Sequence, residues 1–413
     1  MPTWHVFIQE VAAVRDELTS RERVRLAFDH KEADRVPIDL GGTYVSTLTF
    51  GAYERLATHL EETEELPHQD PPKLVLKWGQ SVRPSEAMLQ RFRVDTRPLY
   101  SRPPRYWRDL NYTTLQSFVD EWGVMRRRSG DGRYHYYDVV GYPLSDTDSI
   151  DDLEKFRWPV GDDPGRVQGL REEAQYLHDH TQYAIIGCVM GADLFEVCWF
   201  LRGYENSLMD LAVNQEFVHV MLRKILDVQK ARFAAYLDAA GEYLDAVVVV
   251  DDFATQNSLF LSPNSYRTMI KPYQKELIDL IKNRTEAKLL MHSCGAIRPL
   301  LWDFIEIGVD IVQPVQVSAA GMDSRELKQE FGKQLCFWGG GCDSQHVLPH
   351  GTVDEVRAEV ERRVSDFAPG GGFIFSPVHN VQFDVPPQNV VAMFDHAFWC
   401  GQKYGYARRS SAT

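Results

Sequence analysis

The residues best suited to metal chemistry fall in two short stretches of the 413-residue chain, Met291-His292-Ser293-Cys294-Gly295 and Gly339-Gly340-Gly341-Cys342-Asp343. His292 and Cys294 are two positions apart, so on an extended backbone both side chains point to the same side. Cys342 lies 48 residues beyond Cys294 and can join the pair only through the fold. One imidazole and two thiolates make three zinc ligands with a fourth position open, the pattern of a catalytic rather than a structural zinc. The plainer reading makes the two cysteines small buried hydrophobes and His292 a core histidine. Glycines flank both stretches, and both sit at the ends of apolar runs, which favours the metal.

Those runs define the elements that must position the ligands. Ala287-Lys288-Leu289-Leu290 precedes the first stretch and Leu335-Cys336-Phe337-Trp338 the second. Further strands are expected to start near residues 36, 94, 183, 245, 309 and 373, giving eight, most of them separated by helical stretches. Thr352-Val353-Asp354-Glu355 is a capping box opening one such helix. Another begins near Pro386-Pro387 and runs to about Tyr404. Eight parallel strands alternating with helices predict an α/β fold, a (β/α)8 TIM-type barrel whose strand C-termini carry the chemistry. The expected layout is an N-terminal helical extension over 1–34, the barrel over 35–405 and a disordered tail over 406–413. A β-hairpin excursion is expected around 100–180.

The strand ends are rich in polar groups. Asp251, Asp252 and Gln256 follow four valines, Gln313 and Gln316 follow Val309-Asp310-Ile311-Val312, and His379-Asn380 follow Phe373–Pro377. Glu196 stands in Phe195-Glu196-Val197-Cys198. Singly, each suits a loop or a helix cap; together they would ring the proposed metal. The other cysteines, 188, 198, 336 and 400, have no framework spacing and read as structural thiols of a reducing compartment.

Composition narrows the class. The chain is 44% hydrophobic and 25% charged, with net charge −14, so nucleic acid is not an expected partner. Residues 1–22 are charged throughout and lack an apolar h-region, and no apolar run reaches 18 residues. A cytoplasmic protein without a signal peptide or membrane span is expected.

The segments Arg298–Gly308, Gln313-Pro314-Val315-Gln316, Gly321-Met322-Asp323, Trp338–Gln345 and His379-Asn380…Asp384-Val385-Pro386-Pro387…Asn389 carry a family likeness. The chain resembles the uroporphyrinogen decarboxylase superfamily, and most of all its zinc-dependent, corrinoid-linked methyltransferase branch. The resemblance implies a (β/α)8 barrel with a His-x-Cys…Cys zinc site, which maps onto His292, Cys294 and Cys342. It also implies homodimers as a common state. The decarboxylase itself carries an arginine-rich substrate segment after its first strand, where this chain has Gly41-Gly42-Thr43-Tyr44-Val45-Ser46-Thr47. Its tyrosine before the middle glycine corresponds to Trp199. A substrate with eight carboxylates needs cationic partners. The arginines expected near strand ends are only Arg97 and Arg202.

The expected activity is therefore methyl transfer between a corrinoid carrier and a thiol or related small molecule, as part of a demethylase system or alone. Zinc and a corrinoid, free or on a partner corrinoid protein, are the expected cofactors. His292, Cys294 and Cys342 are the expected metal ligands, and Asp252, His379 and Gln316 the catalytic groups. Tyr44, Trp199 and Gln313 are expected to contact the cofactor at the mouth. A metal-free decarboxylase-like lyase using Asp251 or Asp252 for protons, and a non-catalytic binding module, are the alternatives.

Overall fold

The computed structural model describes residues 17–107, 115–130, 135–147 and 149–405. In chain order, β1 (Lys73–Leu76) and β2 (Ser81–Arg83) form a small antiparallel pair, and β3 (Thr96–Tyr100) enters the main sheet. β4 (Ser117–Val119), β5 (Met125–Ser129) and β6 (Tyr136–Gly141) form a separate antiparallel sheet. Six strands then follow: β7 (Ala184–Cys188), β8 (Ala246–Val250), β9 (Lys288–His292), β10 (Ile311–Gln313), β11 (Cys336–Trp338) and β12 (Phe373–Ile374). The main sheet is parallel, in the order β12-β11-β10-β9-β8-β7-β3.

The eighth stave is the segment around Ile38. Ile38 bridges Phe375 in parallel, Asp39 N–H donates to Phe375 O at 2.8 Å, and Phe375 N–H donates to Pro37 O at 2.9 Å. On the other side Asp95 N–H donates to Ile38 O at 2.8 Å, so the stave joins β12 to β3 and the sheet closes. It is a bridge rather than a full strand because Pro37 has no N–H to give to the ladder and Gly41, at φ +81°, turns the chain away. All eight expected strand positions are therefore occupied.

Side-chain parity sets what points inward. Ala246, Val248 and Val250 on β8, Leu290 on β9, Ile311 on β10 and Trp338 on β11 pack into one interior cluster, and their neighbours Val247, Val249, Leu289 and Phe337 pack outward under the helices. Burial on both faces is why these strands read as unbroken apolar runs. The helix Ser20–Phe28 plugs the N-terminal end, with Val24, Ala27 and Phe28 joining the interior cluster. Residues 1–16 of the expected helical extension and the expected disordered tail over 406–413 lie outside the described residues.

The expected hairpin excursion is instead the three-stranded sheet β4-β5-β6. It leans over the C-terminal end of the barrel. The Arg126 guanidinium sits 4.6 Å from the Trp78 ring and 4.8 Å from the Phe200 ring, and Tyr136 Oη donates to Gln382 Oε1. Among the described residues, no helix is long and apolar enough to cross a membrane.

Candidate metal centre

His292 is the last residue of β9, two positions after the inward-facing Leu290, so parity points its ring into the barrel mouth. Its register partner on β10 is Gln313. His292 Nδ1–H donates to Gln313 Oε1, which leaves Nε2 with its lone pair free. Gln313 Nε2 in turn donates to Val45 O at 3.4 Å. Cys294 Sγ lies 3.6 Å from His292 Nε2, as the spacing predicts.

The loop that presents Cys294 is held on both sides. Cys294 N–H donates to Asp252 Oδ1 at 2.7 Å, and Gly295 N–H donates to Gln316 Oε1 at 2.6 Å. Gly295 adopts φ +86°, and a Cβ there would meet Thr255 O at 2.4 Å and Ala254 O at 2.6 Å. Only glycine serves that position.

The side chain that the fold brings beside this pair is His379, whereas Cys342 lies apart from it. The donor atoms of His292, Cys294 and His379 all lie within 4.8 Å of one another, and the two imidazoles meet edge to face at 5.3 Å. Cys342 is fully buried in the outer cluster, its Sγ 4.0 Å from Asp343 O and close to Glu359 and Arg363 on the helix Val353–Phe367. The reason is local. Gly339 and Gly340, at φ +97° and +75°, turn the chain after the inward-facing Trp338, so Cys342 arrives outside the mouth. His379 is delivered by the loop after β12, and the next residue anchors that loop. Asn380 accepts from Thr47 N–H at 2.8 Å and donates to Ser81 Oγ at 2.8 Å and Tyr44 O at 3.2 Å.

Each titratable group of the site is pushed by burial toward its uncharged form. Burial pushes His292 and His379 down to about 4, aided at His379 by the nearby His292. Both rings are thus uncharged near neutral pH, with the lone pair on Nε2 at His292 and on Nδ1 at His379, where a metal would take the place of the Asn380 N–H. Asn380 N–H donates to His379 Nδ1 at 2.7 Å, so the neutral His379 carries its proton on Nε2. Burial, with Asp252 and Glu196 close by, lifts the Cys294 thiol well above its usual range. Burial raises Asp252 as well, and burial together with Asp252 and Asp251 raises Glu196 far above the carboxylate range. A thiol and two acids confined beside two neutral imidazoles fit a divalent cation, which would reverse each of those upward shifts. Bond lengths of about 2.0–2.3 Å are reachable from donors this close with small side-chain movements.

The remaining expected residues divide. Asp252 and Gln316 hold the Cys294 loop and Gln313 holds His292. Tyr44 is buried, its hydroxyl donating to Gly191 O at 2.8 Å. Trp199 packs among Phe195, Phe200, Tyr204 and Phe260, with Nε1 buried and lacking a hydrogen-bond partner. Asp251 accepts from the N–H groups of Phe195 and Glu196 at 3.0 and 2.7 Å and so caps the helix Phe195–Arg202. Glu196, held over the site by that cap, was visible in the sequence as a polar residue at a strand end without an assigned role. Arg97 turns away to Glu86 and the Tyr183 ring, and Arg202 to Asp210.

The family model described as uroporphyrinogen decarboxylase (URO-D) matches residues 138–397. The chain is 24% identical over 290 residues to the uroporphyrinogen decarboxylase of Synechocystis sp., covering 65% of this chain and 78% of that one. It is 25% identical over 191 residues to the Neisseria meningitidis serogroup C uroporphyrinogen decarboxylase, covering 45% of this chain and half of that protein's length. Among solved structures, a methyltransferase from Methanosarcina mazei superposes with TM-score 0.59 at 18% identity, over 92% of this chain and 98% of the other. With more than half of its length matched by the family model, the chain belongs to the uroporphyrinogen decarboxylase family of α/β-barrel enzymes.

Proposed function

We propose that this protein is a zinc-dependent methyltransferase that moves a methyl group between a corrinoid carrier and a thiol or related small molecule. The observation that carries the reading is the set His292, Cys294 and His379 at the C-terminal mouth of the barrel, with donor atoms within 4.8 Å of one another. Zinc bound there would supply Lewis acidity to the heteroatom that gains or loses the methyl group. Gln313 fixes the His292 tautomer, and Asp252 and Gln316 fix the Cys294 loop, so the ligand set is preorganised by its neighbours. Glu196 is a proton reservoir beside the metal, able to take the proton of an entering thiol or return it to a departing heteroatom. The corrinoid is expected on a partner protein docked over the mouth, which the sheet β4-β5-β6 overhangs.

The decarboxylases among the relatives favour a second reading, removal of carboxyl groups from a tetrapyrrole. Against it, both arginines expected at strand ends are engaged elsewhere, with Glu86 and with Asp210. One experiment separates the two. Zinc-loaded protein incubated with methylcobalamin and a panel of thiols should yield methyl thioether, and the product should vanish on chelation and in His292→Ala. Turnover of a uroporphyrinogen that survives in His292→Ala would overturn the proposal.

A further inference from the structure

A second set of soft and hard donors sits at the other end of the barrel. It lies where the last helix, Pro387–Lys403, packs on the helix Val353–Phe367. His396 and Cys400 are four residues apart on the last helix, so they share one face. Glu361 faces them from the neighbouring helix, and the three donor atoms lie within 4.8 Å of one another. The position is remote from the mouth. Gly401 O accepts from Val36 N–H at 3.3 Å, and Val36 stands at the start of the first stave, on the N-terminal side.

The surroundings orient these donors toward a common point without bonding them to each other. His396 is stacked on Trp399 at 5.3 Å with a 25° interplanar angle, which fixes its ring. Its Nε2 is buried and has no hydrogen-bond partner; Glu361 Oε2, the carboxylate oxygen facing it, is 3.8 Å away. Buried polar nitrogens are nearly always paired, so an orphan aimed at a carboxylate and a thiol requires an explanation. Lys403 Nζ occupies only the other carboxylate oxygen, Oε1, at 2.7 Å, and rests over the Trp399 ring. Cys400 Sγ is buried, while Glu361 is half exposed, so the point between them is reachable from solvent.

We propose that Glu361, His396 and Cys400 form a second divalent-metal site, suited to a zinc-class ion, that ties the last helix to its neighbour. One imidazole, one thiolate and one carboxylate are a three-ligand set that leaves a fourth position for water. The thiolate excludes magnesium and calcium as the natural occupants. Binding deprotonates Cys400, and the thiolate and the Glu361 carboxylate together balance the charge of the ion. Lys403 and Arg357, the cations facing His396, oppose binding, so affinity is set below that of the mouth site. The proposal stands independently of the reaction at the mouth.

Cobalt(II) tests it in the full-length Cys294→Ala protein, whose mouth site has lost its thiol. One equivalent should bind with a thiolate-to-cobalt charge-transfer band, because among the described residues Cys400 is the remaining thiol in a donor set. The band should disappear in Cys294→Ala/His396→Gln and require at least tenfold more cobalt in Cys294→Ala/Glu361→Gln. Cys294→Ala/Lys403→Ala should bind more tightly than its parent. Neither His396 nor Glu361 is a core residue, and circular dichroism on the same samples checks that the variants fold. Cobalt binding without the band, no binding at all, or a band unchanged by His396→Gln would each overturn the site.

Discussion

Gln313 Oε1 accepts the Nδ1 proton of His292 from the directly opposed position on the adjacent strand. The bond selects the tautomer whose Nε2 faces Cys294, so in the proposed site Gln313 would act on the metal through another residue. Groups in this position commonly alter metal affinity by 10- to 100-fold. Gln313→Leu should weaken zinc binding by about that factor, whereas Gln313→Glu, which keeps an acceptor, should retain it. Competition against a chromophoric chelator measures both. Equal affinity in Gln313→Leu would remove Gln313 from the positioning role.

The proposed ligand set, with His379 in the place expected for Cys342, gives a sharper contrast. His379→Ala should strip zinc from the mouth while leaving the fold intact, because Asn380, not His379, anchors the loop to Thr47 and Ser81. Cys342→Ala should retain the zinc and lower stability by about 1 kcal/mol, since a buried sulfur leaves a small cavity. Metal analysis beside urea unfolding of the two variants reads both outcomes, and zinc loss in Cys342→Ala would restore that cysteine to the site.

The sequence made the barrel legible because each stave is buried on both faces. Val247-Val248-Val249-Val250 can be little else before two aspartates, and His292-x-Cys294 needed only strand parity. Cys342 misled because its direction depends on two left-handed glycines, and Gly-Gly-Gly does not announce which way a loop turns. His379 was visible as a polar group at a strand end, yet nothing in His379-Asn380 revealed that Asn380 would pin the loop to Thr47 and Tyr44. The overhanging sheet was hidden for another reason. Strand β5 reads Met-Arg-Arg-Arg-Ser, a charged run whose Arg126 is buried against Trp78 and Phe200 with Asp120 as its ion partner.

Acid should weaken the metal-free fold through the same imidazoles. Burial holds His292 and His379 at about 4, against 6.5 in an unfolded chain. Between those values the unfolded chain binds more protons. The contribution of the two rings is therefore complete above pH 6.5 and is lost as pH falls toward 4. Each ring can contribute up to about 1.4 kcal/mol per pH unit in that window. Asp251, raised by burial to about 7, acts in the opposite sense: its contribution is complete below 3.8 and is lost as pH rises through 7. Because the raised carboxyls of Asp252 and Glu196 act in the same sense as Asp251, the rings are read by difference: between pH 6.5 and 4.5 the urea midpoint of metal-free His292→Gln/His379→Gln should rise relative to that of its parent as pH falls. An unchanged slope in the double variant would assign the acid sensitivity to other groups.

Glu196 offers the most direct test of proton handling at the mouth. The cap from Asp251 fixes the first turn of its helix, and burial beside Asp252 and Asp251 lifts its carboxyl far above the usual carboxylate range. Asp252 is committed to the Cys294 N–H, which leaves Glu196 as the acid free to exchange a proton with substrate. A positioned acid–base group contributes about 10²–10⁴-fold to rate. Glu196→Gln keeps the shape and the hydrogen-bonding capacity but cannot release or take up a proton. It should bind zinc normally, hold KM within a few-fold, and lower kcat by about 10²-fold or more. The limb of the pH–rate profile due to this acid should disappear with it. A variant that loses zinc together with activity would make Glu196 a ligand of the metal, and one that keeps full kcat would place the proton transfer elsewhere.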